Sequence, residues 1–152
     1  MSNTKTHCYL KILAIAAFLF AGASVQADCI SNPVRPENRW SAWETVATSH
    51  GVDLQVRYYT FTGGPWGTGR ENTTVQFQYV NTDNYSHSAY LTGVNGHLLV
   101  GEPLWWNRKS FAHVPFSIPD QSVSLAGGET AQSETFTFEG RICKYSIRFY
   151  AR

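Results

Sequence analysis

Polar and apolar positions alternate along much of the chain with a period of two, the spacing that sends successive side chains to opposite faces of a strand. Between residues 52 and 61, Leu54, Val56 and Tyr58 alternate with Gln55, Arg57 and Tyr59. Residues 74–80 repeat the pattern, with Val75, Phe77 and Tyr79 against Gln76 and Gln78. Shorter apolar runs at 89–94, 97–100 and 111–118 predict further strands, the first two separated by a turn at Asn95-Gly96. Pro115 and Pro119 place the third at a sheet edge, because proline has no N–H to give to a ladder. Near the end, Phe136 and Phe138 share one face, and Cys143, Tyr145, Ile147 and Phe149 alternate with Lys144, Ser146 and Arg148. Trp43 falls on the first predicted strand as a core residue.

Turn signals punctuate these runs: Ser49-His50-Gly51, Ala126-Gly127-Gly128-Glu129 and Glu139-Gly140. Strands at this spacing, with no helical apolar stripe between them, predict an all-β chain. The expected architecture is an immunoglobulin-like or fibronectin-like antiparallel β-sandwich of about seven or eight strands, with a small jelly roll or barrel as the alternative.

The beginning of the chain follows another rule. Lys5, His7 and Lys11 precede an uncharged apolar run from residue 12 to 23, the order of a secretory signal peptide. The run is too short to span a bilayer, which takes roughly 20 apolar residues, so no stable membrane anchor is expected. Val25-Gln26-Ala27 fits cleavage after Ala27, with Ala23 as the alternative site. Residues 1–27 are read as the signal and 28–152 as one β-sandwich domain, secreted or periplasmic. Acylation of Cys29 is disfavoured because Asp28 stands where lipoprotein signals carry a small residue.

Export changes the cysteine count and the charge. Cys8 leaves with the signal, and the remaining pair, Cys29 and Cys143, is expected to form a disulfide in an oxidising compartment. Loss of Lys5 and Lys11 lowers the formal net charge from +1 to about −1. The remaining basic residues are scattered, which argues against nucleic acid as a partner.

Candidate chemistry is sparse. No Gly-x-Ser-x-Gly motif occurs, and His50, His87, His97 and His113 stand singly rather than at paired metal-ligand spacing, so no metal, cofactor or catalytic residue is assigned. Glu71, Asp83, Glu102 and Asp120 are read as loop carboxylates. The Gly-rich run 63–70 precedes a strand and not a helix, so it cannot cradle a phosphate as a P-loop does. It presents Trp66 at its tip and ends in Arg70. Trp105 and Trp106, adjacent and followed by Arg108, must point to opposite faces if extended. Asn72-Thr73-Thr74 and Asn84-Tyr85-Ser86 match the N-glycosylation pattern in predicted loops.

The candidate ligand-binding residues are therefore Trp66, Arg70, Tyr85, Trp105, Trp106 and Arg108, with Tyr90 extending the same surface. The first expectation is a non-enzymatic recognition protein that binds another protein through loops or an edge strand. The second is a carbohydrate-binding module in which Trp66 and one of Trp105 and Trp106 are exposed and coplanar. The third is a small secreted hydrolase, which would need a carboxylate pair or a histidine beside a nucleophile.

Overall fold

The computed structural model describes residues 38–63, 70–102 and 110–152. These form eight strands and no helix: β1 (Glu44–Ser49), β2 (Val52–Gly63), β3 (Arg70–Asn81), β4 (His87–Glu102), β5 (Ser110–Ile118), β6 (Gln121–Leu125), β7 (Thr130–Glu139) and β8 (Arg141–Ala151). The signal segment and Cys29 lie outside the described residues.

Two antiparallel sheets result. Sheet one has the order β1-β2-β3-β7, and in sheet two β4 is central, with β5 and β6 on one side and β8 on the other. β5 and β6 follow each other along β4 in one register, with Val94 opposite Ile118 and Leu91 opposite Gln121. The Pro119-Asp120 step interrupts only the strand geometry there, and the Asp120 carboxylate accepts the Gly93 N–H at 3.0 Å.

The period-two alternation builds the core as expected. Val52, Leu54, Val56 and Tyr58 of β2 and Val75, Phe77 and Tyr79 of β3 are buried against Ala89, Leu91, Val94 and Leu98 of β4 and Ile142, Tyr145 and Ile147 of β8. The hydroxyls of Tyr58 and Tyr145, which face each other from the two sheets, are hydrogen-bonded at 2.5 Å. Pro115 lies on the edge strand β5, as its missing N–H requires.

Three local expectations are corrected. Asn95-Gly96 is not a turn but the interior of β4. Gly93, at φ +60°, absorbs a bulge between Thr92 and Asn95, so one long strand replaces two short ones. Trp43 precedes β1 and is half-exposed, because β1 starts at Glu44. Glu71 and Asn72 lie within β3 rather than in a loop, and Glu102 ends β4.

The two ends of the sandwich are held by different contacts. Gly140 joins β7 to β8 across the sandwich, and its N–H donates to the Glu71 carbonyl at 2.7 Å. A Cβ there would stand 2.7 Å from the Leu99 carbonyl oxygen. The turn therefore ties the start of β3 to the last part of β4, so the strand ends flanking residues 64–69 and 103–109 share one end of the sandwich. The opposite end is held by Asn81, which is buried. Its amide donates to the carbonyls of Tyr85 (2.6 Å) and Ala126 (2.8 Å), and its carbonyl accepts the Asp83 N–H (3.2 Å).

Candidate functional site

The outward face of sheet one carries the densest group of described side chains with binding chemistry. Because even-numbered residues of β2 point to the core, Gln55, Arg57, Tyr59 and Phe61 point away from it. The segment before β1 extends along the same edge: Trp40 forms a bridge with Tyr59, and the Asn38 and Ser41 N–H groups donate to the carbonyls of Thr60 (2.9 Å) and Tyr58 (2.8 Å). This brings two tryptophans to the face that β2 turns outward.

Arg57 organises them. Its guanidinium carbon lies 4.4 Å from the Trp40 ring centre and 4.4 Å from that of Trp43. Nε and Nη2 both donate to Gln76 Oε1, at 3.1 and 2.7 Å. Such a cation–π contact contributes about 0.5–2 kcal/mol, and here the planar group is fixed from both rings and from its edge. The ring row continues along β2, with Trp40 and Tyr59 centred 5.6 Å apart and Tyr59 and Phe61 5.8 Å apart. All four rings are half-buried, with part of each surface open to solvent.

Beside the rings runs a polar band. Gln132 donates to Gln78 (2.9 Å), Gln78 to Gln55 (3.0 Å) and Gln55 to Thr45 (3.3 Å), so one chain of side-chain hydrogen bonds crosses all four strands. The hydroxyls of Thr74 and Thr137 are bonded at 2.8 Å. The central cross-strand rows, Gln55-Gln78-Gln132, Arg57-Gln76-Thr135 and Tyr59-Thr74-Thr137, contain a single formal charge, that of Arg57, already engaged by rings and an amide. Such a surface suits a neutral ligand rich in hydroxyls: carboxamides supply both donors and acceptors, and ring faces accept C–H groups.

Trp66, Trp105, Trp106 and Arg108 lie outside the described residues, and Arg70 opens β3 opposite Gly63. Tyr85 is 76% exposed, but it stands in the connection between β3 and β4, at the other end from the strand ends flanking 64–69 and 103–109. Tyr90 is on the outer face of sheet two, where it stacks on Tyr150 at 4.8 Å and lies beneath the Arg152 guanidinium at 5.2 Å. Of the candidate residues, Tyr85 therefore stands in the β3–β4 connection and Tyr90 on the outer face of sheet two. The sequence reading missed Trp40, Arg57, Tyr59 and Phe61 as a group. The available signal was aromatic residues at the wet positions of β2, where a half-buried strand ordinarily carries small or charged side chains.

One histidine has a carboxylate partner. His87 Nε2 and Asp83 Oδ2 are 2.7 Å apart, and the Asp83 carboxylate also accepts the Tyr85 N–H at 2.8 Å. The Tyr85 N–H bond, followed by the His87 contact, holds the Asp83 pKa below the usual carboxylate range. His87 Nδ1 is buried without a partner, so neither ring nitrogen is open to take a proton from a substrate. The pair ties the start of β4 to the β3–β4 connection. Among the described residues no cluster of three or more His, Cys, Asp or Glu side chains could hold a metal ion. No protein-family profile, curated protein or solved structure matches the chain.

Proposed function

We propose that this chain is an exported, non-enzymatic carbohydrate-binding domain that takes a neutral glycan on the outer face of sheet one. The observation that carries the proposal is the row Trp40, Tyr59 and Phe61 running beside uncharged amide and hydroxyl rows on one sheet face. Export is supported by the order of Lys5, Lys11 and the apolar run 12–23. The strand order β1-β2-β3-β7 departs from the ABED order of an immunoglobulin constant domain, so nothing about ligand position is carried over from such domains.

Native gel electrophoresis through gels containing soluble neutral polysaccharides tests the proposal. The protein should migrate more slowly in at least one such gel, and the double variant Tyr59→Ala/Phe61→Ala should run as it does without ligand. Unretarded migration across the whole panel would overturn it.

A protein partner is the second role we propose, favoured by exposed side chains away from the sheet-one face: Tyr85 (76% exposed) in the β3–β4 connection, and Tyr150 (47% exposed) with Arg152 beside Tyr90. Tyrosine and arginine are enriched where proteins meet. A partner recovered from the exported fraction by the wild type and lost with Tyr85→Ala/Tyr150→Ala would support it. Equal recovery by both would count against it.

A further inference from the structure

The angles between the rings narrow the class of glycan, on the footing that the sheet-one face binds one at all. Trp40 and Tyr59 are inclined by 56° to each other, and Tyr59 and Phe61 by 51°. A crystalline polysaccharide exposes its sugar rings in one flat layer, and a row of aromatics can lie on such a layer only if their planes nearly coincide. Three successive rings tilted by more than 50° cannot all meet one plane. A single chain in solution is different, because each sugar can rotate about its glycosidic bonds and turn its C–H face to a differently oriented ring.

The Trp40 end of the row is braced. Arg57 holds Trp40 and Trp43 at 4.4 Å while Gln76 Oε1 holds the guanidinium, and the Trp40 backbone is bridged to Tyr59. Turning Trp40 into a common plane with its neighbours would disturb its contact with Arg57. The carboxamides beside it are likewise linked in a chain from Gln132 to Thr45, which fixes donors and acceptors along the flank of a bound chain. From this geometry we infer that the ligand class is the single, twisted chain of a soluble neutral polysaccharide, and that flat crystalline polysaccharide is excluded.

Two measurements on the full exported chain separate the outcomes. In native gels containing mixed-linkage β-glucan, xyloglucan, galactomannan or glycogen, migration should be retarded by at least one polymer. In sedimentation with microcrystalline cellulose and crystalline chitin, the protein should stay in the supernatant or pellet with clearly weaker affinity. Phe61→Ala should weaken the soluble interaction about tenfold, with an unchanged melting temperature as the control for folding. Pelleting with a crystalline polymer at an affinity equal to or above that for every soluble one would overturn the inference while leaving glycan binding intact. Binding to neither would overturn glycan binding itself, and the inference with it.

Discussion

A single guanidinium sets the geometry of the sheet-one face, and its replacement separates charge from shape. Arg57→Ala removes the group lying against Trp40 and Trp43 and leaves Gln76 Oε1 without its two donors. The expected loss of stability is about 1–2 kcal/mol in urea unfolding, with a red shift of tryptophan emission as both rings gain solvent. Arg57→Lys keeps the charge but has no planar fork, so it should restore only part of either signal. An Arg57→Lys variant indistinguishable from the wild type would show that charge alone does the holding. Asn81, at the end of the sandwich where β3 leads into β4, is buried and uses both its amide and its carbonyl. Asn81→Ala leaves the carbonyls of Tyr85 and Ala126 without that donor, and unfolding free energy should fall by roughly 1–3 kcal/mol. Binding at the sheet-one face should be unaffected by this change.

Elements were legible in the sequence wherever one face is buried and the other wet. β2, β3 and β8 follow from alternation alone, and the edge position of β5 follows from Pro115. What escaped was set by partners distant in sequence. β4 continues through Asn95-Gly96 because Gly93 takes a positive φ and β8 supplies a bulged register on its other side. The outer face of sheet one escaped for a related reason: alternation tells which side a residue is on, not which neighbours meet it there. The turns allow a graded test. Gly140 has φ +109° and its Cβ would meet the Leu99 carbonyl oxygen at 2.7 Å, whereas Gly128 has φ +73° with nothing within 4 Å. Gly140→Ala should therefore destabilise by roughly 1–3 kcal/mol and exceed Gly128→Ala, which adds only the left-handed penalty of about 1 kcal/mol. The Asp83 loop makes an acid-side prediction. Its carboxylate pKa is depressed in the folded chain, so its contribution is present above the unfolded value near 4 and is lost as pH falls through the lower folded value. Asp83→Asn should flatten the fall of melting temperature on acidification, and an identical pH profile would contradict the assignment.

At the scale of the whole molecule, the two ends of the sandwich are fastened by different contacts. Asn81, Asp83 and Gly128 knit one end, through the bonds of Asn81 and the Gly128 N–H to the Asp83 carbonyl at 2.9 Å. At the other end Gly140 and the Glu71–Arg141 ion pair link β3, β7 and β8. Cys143 sits close by on β8, buried, at the bulge that lets Ile142 take a core position beside it. A disulfide from Cys143 to Cys29 would fasten this end covalently and close a loop of more than a hundred residues. The chain-entropy model assigns such a loop on the order of 4–5 kcal/mol, a large share of the stability of a domain this size. If the chain is exported and cleaved after Ala27 as we propose, the mature protein should show no titratable thiol in denaturant without reductant, and reduction should lower its unfolding midpoint while leaving the strand content of the folded fraction unchanged. Two thiols titrating before reduction would rule the bridge out, and the Gly140 end would then rest on non-covalent contacts such as the Gly140 N–H to the Glu71 carbonyl, the Thr73 hydroxyl to the Gly140 carbonyl and the Glu71–Arg141 pair.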